Sequence, residues 1–342
     1  GKRLSVSAGS MSAEIVQSWV RILVVRIANM GLNYTNKHRK RIKLIFNPAS
    51  GMAKKSSQLL MDILKELQIC RFVPELFITE PDTDYAGMVS DSLAEGIRMF
   101  IVCGGDGTVS SVAKAVLGTN AVLGIIPTGT QNNVAFSLGI PDDIRSAINL
   151  LRAGKIIKTD VGIATCGKVT VPFLEICSVG LFSALFKSGD DIQHGDIAKI
   201  GNFLATLTAS TPSKISLLLD DKFEIKDVGH VVLVSNMPYI GRRVQVGSEG
   251  SYRDGLLDVI FCTDIPKLDL MVGYMLRLPG LNAAEDSRIK RFQVKKALIE
   301  TSPEMPVMAD GIELNRGSVK IEIVRRALAI MAGSAQESRQ KG

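Results

Sequence analysis

Gly104, Gly105, Asp106, Gly107 and Thr108 stand in a row in this 342-residue chain, between the apolar run 99–103 and a helix-like stretch over 109–117. A strand that runs into a glycine turn and then into a helix start aims backbone N–H groups and the positive end of the helix at one point. The three glycines open backbone angles that other residues avoid, and they remove side chains that would block a bulky anion. Such a point suits a phosphate. Asp106 is the discordant member, because a carboxylate beside a phosphate is repelled unless a divalent cation or a proton transfer brings the two together. Phosphoryl transfer is the chemistry to expect, although a tight turn that only joins strand to helix uses the same residues. The spacing is neither the Gly-x-Gly-x-x-Gly dinucleotide fingerprint nor a P-loop. A second turn of phosphate type follows: the apolar run 121–126 leads into Pro127, Thr128, Gly129, Thr130, Gln131, Asn132 and Asn133, and a helical pattern resumes over 134–138. Thr130 or Asn132 can cap that helix.

Five motifs then fall in one order: Ile45-Phe46-Asn47-Pro48-Ala49-Ser50-Gly51, the glycine turn, Pro127-x-Gly129-Thr130-x-Asn132, Asp254-Gly255-Leu256-Leu257-Asp258, and Asp310-Gly311. Over about residues 41–330 this order resembles the diacylglycerol kinase catalytic family, which includes bacterial lipid kinases, sphingosine kinases and ceramide kinases. The motifs are specific for the family and say little about the substrate. The resemblance implies an α/β ATP-binding domain with a parallel sheet, similar to phosphofructokinase and NAD kinase, over residues 41–157. It implies an antiparallel β-sandwich lipid-substrate domain over 158–317, a segment over about 318–332 that returns to the first domain, and an active site in the cleft between them.

Residue by residue, the resemblance implies ATP contacts at Thr79, at Gly104, Gly105, Asp106, Gly107, Thr108, Val109 and Ser110, and at Thr130. Asn47 is a further polar contact by its type, or a turn-forming Asn-Pro. Asp254, with the carbonyls of Ser251 and Leu256, matches the magnesium-binding segment, and oxygen-only ligation suits a hard Mg²⁺. An Asp-Gly hairpin turn is compatible with that role. Asp160 matches an acid used near the substrate headgroup, while a lone Asp before a strand is also an ordinary turn residue.

The chain departs from the family pattern at three places. Ser110 and Ser111 replace an Asn-Glu pair, Asn133 replaces an Asp, and the Asp-Gly-Glu motif whose Glu is taken as the base reads Asp310-Gly311-Ile312-Glu313. Ile312 cannot move a proton. Three accounts follow: Asp106 is the base, a one-residue shift brings Glu313 into place, or the protein binds nucleotide without turnover. Phosphoryl transfer needs positioning and charge neutralisation more than a strong base, so activity is expected, with Asp106 as the first candidate and Glu313 as the second. The expected reaction moves the γ-phosphoryl group of Mg·ATP to a lipid hydroxyl, most simply that of diacylglycerol to give phosphatidate. The alternatives are an NAD kinase-like enzyme, which the second turn argues against, and a catalytically weak nucleotide- or lipid-binding protein.

Alternating signals must place these residues. Strands are expected at 41–46, 72–78, 99–103 and 122–126, with helices at 54–67 and 84–96, a β-α-β succession that implies a parallel sheet covered on both faces. Ligands of such sheets sit at the carboxyl ends of strands, where Asn47, Thr79, Gly104 and Thr130 all fall. From residue 158 the runs shorten (161–164, 171–178, 215–219, 229–234, 256–261, 291–300), as suits an antiparallel sandwich. Helical interruptions are expected at 197–207 and 268–278.

The net charge of +7 hints at nucleic acid until it is located. Residues 1–43 hold nine Lys/Arg against one acid, Glu14, and the rest of the chain is balanced to within a single charge. With 5% aromatic residues and no interleaving of Lys/Arg with rings, a nucleic-acid surface is not expected. Wound as a helix, 12–30 gathers Ile15, Trp19, Ile22, Leu23 and Ile27 on one side, and the basic run 37–41 follows. That is the pattern of an interfacial helix on an anionic membrane surface. A helix docked on the protein itself or on a second subunit, as in a homodimer, gives the same pattern, as does a disordered end. Arg21 and Arg26 interrupt the apolar run, so neither a transmembrane span nor a signal-peptide core is expected. Five widely spaced cysteines suggest neither a disulfide framework nor a zinc site, and a reducing cytoplasm fits. The expected localisation is cytoplasmic with peripheral membrane association.

Overall fold

The apolar runs of the first half carry hydrophobic side chains at odd and even positions alike, which suits strands buried on both faces. The computed structural model describes residues 39–50, 56–180, 212–240, 244–248, 250–263 and 288–333. In it these runs form β1 (Lys40–Phe46), β2 (Phe72–Ile78), β3 (Met99–Gly104) and β4 (Val122–Pro127). Between and after them lie α1 (Ser56–Ile69), α2 (Tyr85–Ala94), α3 (Asp106–Val116), α4 (Asn133–Ser137) and α5 (Ile144–Ala153). The four strands are parallel in the order β4-β3-β1-β2. Alternation along them divides the core: Ile42, Leu44, Met99 and Ile101 pack with Ile63 and Leu67 of α1 and Ile148 of α5. Ile45, Phe100, Val102 and Leu123 turn the other way, toward Val109 and Val112 of α3 and Val89 of α2. The expected doubly covered parallel sheet is present. Asp84 and Asp143 start α2 and α5 by accepting from the Gly87 and Ser146 N–H groups at 2.9 and 2.8 Å.

The strand order turns between β1 and β3, and in sheets of this kind ligands bind outside the carboxyl ends at such a turn. The segments that leave these ends are tied together. The Asn47 N–H donates to the Cys103 carbonyl at 3.0 Å, the Thr79 N–H to the Phe46 carbonyl at 3.0 Å, and the Thr128 N–H to the Gly104 carbonyl at 3.3 Å.

From residue 155 the pairing is antiparallel. The strands are β5 (Lys155–Cys166), β6 (Val169–Phe173), β7 (Ile176–Gly180), β8 (Ser213–Leu219), β9 (Phe223–Ser235), β10 (Tyr239–Ile240), β11 (Val244–Gln245), β12 (Leu257–Thr263), β13 (Ile289–Val294), β14 (Lys296–Ser302), β15 (Pro306–Ala309), β16 (Ile312–Arg316) and β17 (Val319–Ala332). Their inward residues, among them Phe173, Leu217, Val232, Phe261 and Ile321, make a separate core. β17 pairs with β14 and β5 antiparallel, and it reaches β4 in parallel through Ala329↔Val122 and Ile330↔Leu123.

Two runs expected as single strands are broken, each for the same reason. Run 171–178 divides at Leu174-Glu175, where the N–H groups of Leu174, Glu175 and Ile176 donate to the Asp310 carboxylate. Run 291–300 divides at Lys295, where the N–H groups of Lys295 and Lys296 donate to Asp220. A strand can break inside a protein only where its N–H groups find other acceptors, and a carboxylate from a distant turn provides them. Of the basic amphipathic extension expected over 1–40, Lys40 already belongs to β1, and residues 1–38, Gly51 and the helices expected at 197–207 and 268–278 lie outside the described residues. Among the described residues no helix is long and apolar enough to cross a membrane.

Candidate active site

The glycine turn joins β3 to α3, and Gly105 is the N-cap of the helix. The first-turn N–H groups, those of Asp106, Gly107 and Thr108, have no acceptor within the helix and lie at the carboxyl end of β3. None of Gly104, Gly105 and Gly107 has a positive φ, so the expectation that they open forbidden angles is corrected to one of space. A Cβ on Gly104 would lie 2.8 Å from the Thr108 Cβ, and one on Gly129 would lie 2.4 Å from the Gly105 Cα. The two phosphate-type turns touch backbone to backbone, which only glycine allows. At Gly107 a Cβ would meet nothing within 4 Å, which leaves open room in front of the helix start.

Asn47 is both turn former and contact. Its Oδ1 accepts from the Ala49 N–H at 2.9 Å, and its Nδ2 donates to the Thr108 hydroxyl at 2.8 Å. Thr79 is buried after β2, beside Tyr85. Thr130 is exposed on the second turn. Asn132, at φ 53°, does not cap α4 as expected. Its amide folds back on Gly129, accepting from the N–H at 3.0 Å and donating to the carbonyl at 2.9 Å. Asp106 takes the capping place: its Oδ1 accepts from the Val134 N–H at 3.1 Å. Two further expectations are corrected. Val109 is buried and its N–H is committed to the Gly105 carbonyl at 3.0 Å. Ser110 is buried and its hydroxyl donates to Asp310 Oδ2 at 2.7 Å, so neither offers a group to a nucleotide.

Asp310 and Gly311 form the two-residue turn between β15 and β16, both with positive φ (43° and 78°), as a type I′ hairpin demands. The Asp310 carboxylate accepts from Ser110 and from three successive backbone N–H groups, Leu174 (2.7 Å), Glu175 (3.0 Å) and Ile176 (3.1 Å). It thus pins β7 and the β15–β16 hairpin to α3. The one-residue shift that would bring Glu313 into the position of Ile312 is absent. Ile312 pairs with Ala309 and Glu313 with Met308, which puts the two side chains on opposite faces of the strand. Both residues are exposed, and Ile312 is 44% accessible.

Asp106 is half-buried, and burial raises its pKa above the ordinary carboxylate value. The N–H groups of Val134, Asn133 and Asn132 pull it down, and the Asp310 charge pushes it up again. A third carboxyl, Glu175, faces both Asp106 and Asp310. In the sequence Glu175 is hidden inside the run 171–178, where its one signal is that it is a lone acid among Phe173, Leu174, Ile176 and Cys177.

Asp160 is completely buried. Its carboxylate accepts from the Gly255 N–H at 2.7 Å and the Arg326 N–H at 2.6 Å. An acid with no exposed surface does not face a substrate headgroup, so the expectation of a catalytic Asp160 is corrected to a holding role. It ties the 254–256 turn to the bulge of β17 between Val324 and Leu328. In that turn Ser251 opens a 3₁₀ turn (Ser251–Arg253), and Asp254 Oδ1 accepts from the Leu256 N–H at 2.8 Å. Asp254 is exposed, yet the surrounding chain removes part of its water and so raises its pKa, and the neighbouring Asp258 and Asp160 carboxylates add to the rise. Ser251 is fully buried and its carbonyl accepts from the Asp254 N–H at 3.4 Å, so of the expected oxygens the exposed Asp254 carboxylate is the most open, and oxygen donors of this type suit a hard divalent cation.

The Diacylglycerol kinase catalytic domain family matches residues 41–164, and the YegS C-terminal NAD kinase beta sandwich-like domain family matches residues 193–332. An uncharacterized protein of Synechocystis is 24% identical over 308 residues, covering 84% of this chain and 69% of that protein. A diacylglycerol kinase of Staphylococcus saprophyticus is 34% identical over 126 residues, which are 36% of this chain and 41% of that kinase. The crystal structure of a diacylglycerol kinase from Bacillus anthracis superposes with a TM-score of 0.68 at 22% identity, over 88% of this chain and 99% of that one. At that identity the likeness is one of fold.

Proposed function

Because this chain belongs to the diacylglycerol kinase catalytic family, we propose that it is an ATP- and Mg²⁺-dependent lipid kinase whose acceptor is the hydroxyl of diacylglycerol, giving phosphatidate. The observation that supports this reading best is the half-buried Asp106 carboxylate set inside a phosphate-type turn, with Oδ1 held by the Val134 N–H at 3.1 Å. The triphosphate rests against the first-turn N–H groups of α3 and the second turn at Thr130, with Asn47 and Thr79 at its sides. The acceptor oxygen bonds to the γ-phosphorus, the bond from that phosphorus to the oxygen bridging to ADP breaks, and the hydroxyl proton passes to Asp106. Positioning by the two turns does most of the work, because the transition state asks little of the base. Asp254 with the Ser251 and Leu256 carbonyls would hold Mg²⁺, which when bound supplies positive charge against the carboxylates of Asp254, Asp258 and Asp160. The basic N-terminal segment brings the enzyme from the cytoplasm to an anionic membrane surface.

The exposed Ile312 favours a second reading, a nucleotide- and lipid-binding protein with weak turnover. Mixed micelles of diacylglycerol with labelled ATP separate the two. The kinase reading expects labelled phosphatidate and a loss of at least about 10²-fold for Asp106→Asn. Equal transfer by wild type and variant removes Asp106 from the base role, and no transfer to any lipid acceptor leaves the binding protein.

A further inference from the structure

Asp106, Glu175 and Asp310 bring three carboxyl groups together where α3, the start of β7 and the β15–β16 turn meet, and the hydrogen-bond donors there are shared unequally. Asp310 receives four donors, from Ser110, Leu174, Glu175 and Ile176. Asp106 receives the N–H groups at the start of α4. Glu175 is 7% exposed and faces both of these anions, yet the donor turned to it is the side-chain amide of Asn133. Asn133, itself 4% exposed, carries a buried Oδ1 with no donor at all. Two other titratable groups near the cluster, Lys114 of α3 and Cys177 of β7, feel the Asp310 charge. A carboxyl in this place is short of one hydrogen. As a carboxylate it would be an anion buried against two others with a single neutral donor. As a carboxylic acid it supplies an O–H to an environment rich in acceptors. Burial first, and then the charges of Asp106 and Asp310, push Glu175 well above the ordinary carboxylate range.

We propose that Glu175 keeps a proton at neutral pH and shares it with Asp106, so that the two act as one acid–carboxylate couple in which Asp106 is the accessible member and Glu175 the positioning residue. The assignment of a reaction to the couple rests on the kinase reading above; the shared proton does not. Like-charged neighbours of this kind lose their protons in two separated steps that belong to the pair. In the window between those steps Asp106 is ionised and can take the hydroxyl proton, while the neutral Glu175 adds no second charge beside the γ-phosphate. Above the second step Glu175 ionises and the site repels ATP. The couple also supplies an interior carboxyl in a chain that has Asn133 and Ile312 where its relatives' pattern has acids.

Infrared difference spectroscopy of the full chain against Glu175→Gln tests the proton directly. A carboxylic-acid C=O band present in wild type at neutral pH, lost in Glu175→Gln and bleached in wild type by alkaline titration, is expected. Absence of that band overturns the proposal. The rate profile tests the coupling. Wild-type turnover should fall on the alkaline side, and Glu175→Gln, which stays neutral at all pH values, should lose that limb. An unchanged alkaline limb in Glu175→Gln also overturns it. If Glu175→Gln does not fold, the alkaline bleaching of the wild-type band still decides. A band with no kinase activity on any lipid keeps the shared proton and removes the kinase reading, so the two failures are distinguishable.

Discussion

Ser110 and Asp310 are 200 positions apart in sequence and 2.7 Å apart in space, and the bond between them fastens the first helix of the glycine turn to a hairpin of the antiparallel sheet. It makes the Asp-Gly turn of β15–β16 a clamp. Asp310→Asn replaces a four-fold acceptor with an amide that meets backbone N–H groups with its own NH₂, and should cost about 3 kcal/mol. Ser110→Ala removes one donor to a charged group and should cost about 1.5 kcal/mol. Urea midpoints at constant slope measure both, and a fully stable Asp310→Asn protein would refute the clamp.

The two turns make opposite demands on their glycines. Gly129→Ala places a Cβ 2.4 Å from the Gly105 Cα and should destabilise the nucleotide-free protein by about 1–3 kcal/mol. Gly107→Ala meets nothing within 4 Å and lies within a helix, so the same protein should keep or gain stability, by about 0.5–1 kcal/mol. Its methyl group nevertheless intrudes on the room kept for phosphate, and calorimetric titration should show weaker ATP binding. Unaltered ATP affinity in Gly107→Ala would place the phosphates elsewhere.

Ile312 sits on an edge strand and is 44% exposed, so a charge introduced there is not buried. Ile312→Glu should melt within about 0.5 kcal/mol of wild type, as surface changes do. If Asp106 is the base, Glu313→Gln leaves kcat unchanged. A large kcat loss in Glu313→Gln with ATP affinity intact would move the base role to Glu313.

Mg²⁺ bound by the native state alone should raise the melting temperature, by the equivalent of about 2.7 kcal/mol at a hundredfold excess over Kd. Asp254→Asn, which removes the one carboxylate of the candidate set, should abolish the rise while leaving the metal-free melt close to wild type. A Mg²⁺ response that survives Asp254→Asn would exclude this site.

Most of the fold was legible because its determinants are local. Apolar runs that alternate with helical patterns mark parallel strands, and the two phosphate-type turns lie where β3 and β4 stop. What sequence could not show are the long-range acceptors. Nothing near Leu174 announces that a carboxylate at 310 will take its N–H, so one expected strand became two. Nor does Ser110 reveal that its hydroxyl is already committed. The same blindness affected Asp160, which the family resemblance set near a headgroup and which is in fact sealed under Gly255 and Arg326. Glu175 was legible in principle, since an acid within an apolar run is costly unless something requires it.

The final described strand has a consequence for how the chain is made. β17 pairs with β4, the last strand of the parallel layer, and with β5 and β14 of the antiparallel one. During synthesis the first layer therefore leaves the ribosome with an unsatisfied β4 edge, and must wait for about two hundred further residues before that edge is covered. Contacts so distant in sequence slow folding. Once they form, they oblige both layers to melt together rather than in turn.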